Sequence, residues 1–90
     1  MSTSPVIKVE RLIRNDEGPV KAYVDLLILD TFIVKGLEVL PARELGLGED
    51  GLCVGMPVMD GQEIFYPISR EMRQGLQELI LEAYEEQKPN

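Results

Sequence analysis

Only one stretch of this chain repeats its apolar residues at helical spacing, and it comes last. From Arg70 to about Gln87, the residues Met72, Leu76, Leu79, Ile80 and Ala83 recur three and four apart, with Leu81 and Tyr84 at the edges. That pattern is one apolar stripe along a helix. Everything before it consists of short runs that alternate between turn signals, as strands do. Strands first and one helix afterwards make an α+β fold: an antiparallel sheet of about five strands with the C-terminal helix packed on one face. Ninety residues leave room for one domain, 1–90. Residues 1–5 and 87–90 are expected to fray.

The strands can be placed by parity. In residues 6–14, Ile7, Val9 and Ile13 fall on one face and Lys8, Glu10 and Arg14 on the other, while Arg11 interrupts the apolar side. Asn15 to Pro19 reads as a turn. In residues 20–29, Ala22, Val24, Leu26 and Ile28 point one way and Tyr23, Asp25, Leu27 and Leu29 the other. The second half of this strand is apolar on both sides, which predicts that both are covered. Asp30-Thr31 is a short turn, so residues 32–40 return antiparallel. There Leu37 and Val39 have the wrong parity to follow Phe32 and Val34, and a bulge near Gly36 would restore all four to one side.

Pro41 to Gly51 is a loop with one helical turn at Ala42 to Leu45. Leu52 to Met56 is a fourth strand, closed by Pro57. Asp60-Gly61 marks a tight turn, and Gln62 to Tyr66 is a fifth strand ended by Pro67. Ser69 suits a helix N-cap. Gly75 weakens the helix by about 1 kcal/mol relative to Ala; either something approaches it closely or it lies on an open face. Glu78, Glu82, Glu85 and Glu86 oppose the helix dipole, so the last turn should fray.

The composition excludes much chemistry. There is no histidine and one cysteine, so neither a Ser-His-Asp nor a Cys-His arrangement exists within the chain. A zinc site of Cys and His cannot form. No acid sits in a setting that marks a tuned carboxylate. No enzyme, catalytic residue, metal or cofactor is therefore expected. Gly46 to Gly51 spells G-x-G-x-x-G, but a strand follows it where the dinucleotide fingerprint needs a helix, so it reads as a flexible loop. Cys53 reads as a small core filler. A single cysteine, no stretch near the roughly 18 apolar residues of a membrane span and a start without signal-peptide character predict a cytoplasmic protein.

The net charge is −7, which disfavours sequence-independent binding to phosphate backbones. The acids crowd the second half: residues 46–90 carry Arg70, Arg73 and Lys88 against nine acids. Any basic patch leans on the first half and the two arginines near position 70.

Several segments together carry a resemblance: Phe32-Ile33-Val34-Lys35-Gly36-Leu37-Glu38-Val39, Gly51-Leu52-Cys53-Val54-Gly55-Met56-Pro57, Asp60-Gly61, Tyr66-Pro67-Ile68-Ser69, and a helix ending Leu81-Glu82-Ala83-Tyr84. In this order and spacing, from about Val6 to Tyr84, the chain resembles the stage V sporulation protein G (SpoVG, septation protein) family of bacteria. The resemblance implies a small cytoplasmic homodimer, associated with septum formation and sporulation and acting as a nucleic-acid-binding regulator. It places contacts at basic residues near the start of the C-terminal helix, where Arg73 falls on the family's arginine. Two positions on, a common lysine is Gly75 here. The loop that is typically basic is Val58-Met59.

Two readings follow. In the first, a dimeric regulator binds DNA or RNA through Arg70 and Arg73, with Lys8, Arg14 and Arg11 in support; against this, each cation can be a solvated charge or a surface pair with a nearby Glu. In the second, the chain is a protein-interaction module in cell-division regulation, and Val58 and Met59 meet a protein partner unless they fold back onto the core. Dimerisation would also cover the edges and spare apolar face of so small a sheet.

Overall fold

In the computed structural model, which describes residues 6–15, 17–45 and 51–87, four strands form one antiparallel meander. They are β1 (Ile7–Arg14), β2 (Ala22–Ile28), β3 (Phe32–Pro41) and β4 (Leu52–Gly55), in that spatial order. A 3-10 turn at Ala42–Leu45 follows β3 where one helical turn was expected. The chain ends in α1 (Arg70–Glu86). The α+β class holds, but the fifth strand does not join the sheet. Its start, β6 (Gln62–Glu63), pairs instead with β5 (Val58–Met59) in a separate hairpin. Asp60 and Gly61 have φ of 52° and 80°, the conformation of a type I′ turn, which forces immediate return of the chain on itself. The Gly-rich motif lies, but for Gly51, outside the described residues, as do 1–5 and 88–90.

Two bulges decide which residues face the helix. On β3, Val34 pairs with Leu26 and Leu37 with Val24, so Lys35 and Gly36 together oppose Asp25. This is the bulge predicted near Gly36. Gly36 adopts φ +99°, which favours glycine, and a Cβ there would crowd the Pro57 side chain at 3.2 Å. Val34, Leu37 and Val39 thereby share one face, while Phe32 at the strand's start remains 59% exposed.

The second bulge overturns the parity expected for β1. Val9 pairs with Leu26 but Arg11 with Asp25, leaving Glu10 as the extra residue. Beyond it, Leu12 and Arg14 turn inward with Ile7 and Val9, opposite Val24 and Ala22. Ile13 turns outward and is 48% exposed. Arg11 therefore does not interrupt the core; it lies on the outer face with Ile13.

The core lies between this inner face and α1: Leu12, Ala22, Val24, Leu26, Leu37, Val39, Val54 and Met56 meet Leu76 and Ile80. Of the predicted helical stripe, Leu79 and Ala83 pack at its margin, and Met72 remains 59% exposed. Ser69 caps the helix as expected, its Oγ accepting from the Met72 N–H at 3.1 Å. On the outer face, Leu40, Ala42 and Cys53 make a small buried cluster, and burial pushes the Cys53 thiol pKa up, consistent with a filler. The rest of that face is open: Tyr23 and Ile33 are about half exposed. The expected cover on both sides of β2 is absent within the described residues. The turn after β2 also starts one residue early. Leu29 and Asp30 both have positive φ, and the Thr31 N–H donates to the Ile28 carbonyl at 2.9 Å.

Among the described residues, nothing beyond the neighbouring residues and the helix's own nearby backbone lies within 4 Å of a Cβ built on Gly75, so the open-face reading of that glycine holds. Gly75→Ala should stabilise the fold by about 1 kcal/mol, read as a higher urea midpoint with an unchanged slope. A lower midpoint would show that the glycine is required.

Candidate functional site

The four cations singled out from the sequence do not form one patch. Lys8, on β1, donates from Nζ to Asp30 Oδ1 at 3.2 Å, with both side chains well exposed. Arg14 faces the helix instead of solvent. Its guanidinium Nη1 donates to the Tyr84 carbonyl at 2.7 Å and the Gln87 carbonyl at 2.8 Å. It also stacks 3.9 Å above the Tyr84 ring, a cation–π contact. Gln87, expected to fray, closes the helix with its N–H on the Ala83 carbonyl. A cation at a helix C-terminus meets both unpaired carbonyls and the negative end of the dipole, so Arg14 offsets the acids of the last turns.

Arg70 and Arg73 are the pair that the structure does bring together. They line one open cleft of about 460 Å³ with Gln74 and Gln77, positions that share a helix face. Arg70 is exposed and forms no ion pair among the described residues. Arg73 is held in a two-pronged pair by Glu63 of β6, at 2.8 and 3.3 Å. The carboxylate's hydrogen bonds raise the guanidinium's pKa above its ordinary value, against a smaller effect of burial. Gln77 Oε1 also accepts from the Val54 N–H at 3.4 Å. From Arg70 the helix runs about 24 Å to its far end near Arg14, at about 1.5 Å per residue. Neither Lys8 nor Arg14 lines the cleft.

Val58 and Met59 do not fold back onto the core. They are 59% and 62% exposed on the short hairpin. A second apolar feature was missed in the sequence. Phe65, Tyr66, Pro67 and Ile68 line a groove of about 370 Å³ against Ile7, Ile28, Met72 and Leu76. Its signal was available in the alternation Ile64, Tyr66, Ile68, all more than half exposed, but the segment read as a strand leading into a sheet. Among the described residues no three His, Cys, Asp or Glu side chains gather to hold a metal. No helix there is long and apolar enough to cross a membrane.

Comparison with known proteins extends the resemblance. Residues 5–86 match the SpoVG family. A relative from Archaeoglobus fulgidus is 42% identical over 76 residues, covering 79% of this chain and 82% of its own length. One from Caldanaerobacter subterraneus subsp. tengcongensis is 35% identical over 89 residues, covering 93% and 89%. Both carry the name "Putative septation protein SpoVG".

Truncating Arg14 should loosen the helix end without touching the cleft. Arg14→Ala should lower stability by about 2 kcal/mol, since hydrogen bonds from a charged donor are lost. Hydrogen exchange should rise first at residues 83–87. Uniform exchange with unchanged stability would show that the arginine does not hold the helix.

Proposed function

The chain belongs to the SpoVG family, and on that premise we propose that it is a small dimeric cytoplasmic regulator of the septation type that works by contacting a protein partner. The observation that carries this reading is a contrast. Lys8, Arg14 and Arg73 are each engaged within the chain, whereas Val58 and Met59 project from a hairpin that leaves both exposed. An apolar pair on a tight turn suits the core of a protein contact better than a phosphate. The buried thiol and the surplus of acids fit a reducing, nucleic-acid-repelling setting.

A second reading, nucleic-acid binding, is favoured by the cleft. Arg70, Arg73, Gln74 and Gln77 place two guanidiniums and two amides on one helix face, groups suited to phosphates and base edges. A phosphate would have to displace Glu63 from Arg73.

Val58→Glu combined with Met59→Glu, with the fold checked by circular dichroism, should abolish capture of the partner. Retention of every partner by the folded variant overturns the first reading. The second is tested by fluorescence anisotropy with duplex DNA and single-stranded RNA at low salt. If it holds, Glu63→Gln tightens binding severalfold by freeing Arg73, and Arg70→Ala with Arg73→Ala removes it. No binding at low salt excludes it.

A further inference from the structure

Among the described residues, one polar contact ties the hairpin of β5 and β6 to the helix. Every residue from Val58 to Ile64 is exposed. The hairpin closes on itself: Val58 pairs with Glu63 and Met59 with Gln62, and the Ile64 N–H donates to the Pro57 carbonyl at 2.9 Å. Only the Arg73–Glu63 pair runs from these residues to another element as a hydrogen bond or ion pair among the described residues. Val58 stands directly opposite Glu63. Such cross-strand partners place their side chains on one face, about 5 Å apart. The apolar residue offered to a partner and the carboxylate that occupies the cleft's arginine are therefore neighbours. The same Arg73 guanidinium faces the hairpin and lines the cleft with Arg70.

A guanidinium fork engaged on one carboxylate cannot give the same two N–H groups to a phosphate. We propose that the Arg73–Glu63 pair is a latch through which the cleft controls the hairpin: an oligophosphate entering the cleft takes Arg73 from Glu63 and loosens the hairpin that carries Val58 and Met59. The latch works in both directions, because the two surfaces require opposite states of Glu63. Phosphate favours the parted state, in which it holds the guanidinium and the carboxylate has withdrawn. A protein covering Val58 favours the joined state. It also removes water from the adjacent Glu63, and an ionised carboxylate without water needs its cation. Ligands that favour opposite states weaken each other by one shared factor. The pair itself bounds that factor. Its side chains are 41% and 39% exposed, so it shifts an equilibrium by about fivefold at most. The latch rests on the readings of the hairpin as a protein contact and of the cleft as a phosphate site, and joins the two into one switch.

Tripolyphosphate is the probe, since it brings phosphate without a base or sugar to touch the apolar hairpin. It is added at low salt, against sodium chloride of matched ionic strength, and amide exchange is followed by NMR. Exchange at residues 59–64 should rise about threefold to fivefold, while Val24 and Ile80 in the core stay unchanged. Glu63→Gln should show the faster exchange without the probe, bind the probe severalfold more tightly, and respond to it no further. Arg70→Ala should weaken probe binding while the hairpin of the free chain keeps its protection. Both substituted residues are exposed, and unchanged exchange in the core shows that the variants fold. Probe that binds without changing hairpin exchange overturns the latch and leaves the cleft as a phosphate site. So does a Glu63→Gln chain whose hairpin exchanges at the wild-type rate. Absence of probe binding at low salt overturns the phosphate reading of the cleft and the latch with it.

Discussion

Both neighbours of β2 take on extra backbone at the level of Asp25, and the rest of the molecule depends on that coincidence. Glu10 is inserted on one side and the Lys35–Gly36 pair on the other. A one-residue change of phase moves every later side chain to the opposite face. Without the insertion on β3, Leu37 and Val39 would leave the core. Without the one on β1, Leu12 would point to solvent and Arg14 would lie on the wrong side of the sheet. Because the insertions sit side by side, β1 and β3 change phase at the same level of an uninterrupted β2, and all three stay paired.

The helix is then positioned at both ends by polar contacts and in the middle by apolar ones. Leu76 and Ile80 are its two buried positions. Near its start Arg73 reaches β6, and at mid-helix Gln77 reaches β4 beside the buried residues. At its finish, Arg14 of β1 reaches the last carbonyls. A 17-residue helix with four acids in its later half would end poorly alone. The cation from β1 supplies what the helix lacks, and only the phase change in β1 brings it there.

Much of the fold could be read from the order of residues, and the unread parts share a physical cause. The β3 bulge was legible because a glycine marks it and the apolar parity breaks across it. The β1 bulge has no such mark: Glu10 is not among the residues with positive φ, and Arg11 made the misphased pattern look like a flaw in a regular strand. The helix, its Ser69 cap and the 3-10 turn follow from local preferences and were readable. The loss of the fifth strand was not, since Gln62 to Tyr66 has strand chemistry and only the type I′ turn diverts it into its own hairpin. At the candidate cleft, Arg70 and Arg73 were legible from helical spacing. The Glu63 carboxylate that occupies Arg73 comes from another element, and single-chain periodicity carries no information about such a contact.

Gln77 has a consequence for how copies of this chain coexist in a crowded solution. β4 is the last strand of the sheet, and a terminal strand with free amides is a template onto which another molecule's backbone can add. The carboxamide of Gln77 occupies the Val54 amide that such an addition would use. On the β4 side, the sheet is thereby discouraged from growing sideways.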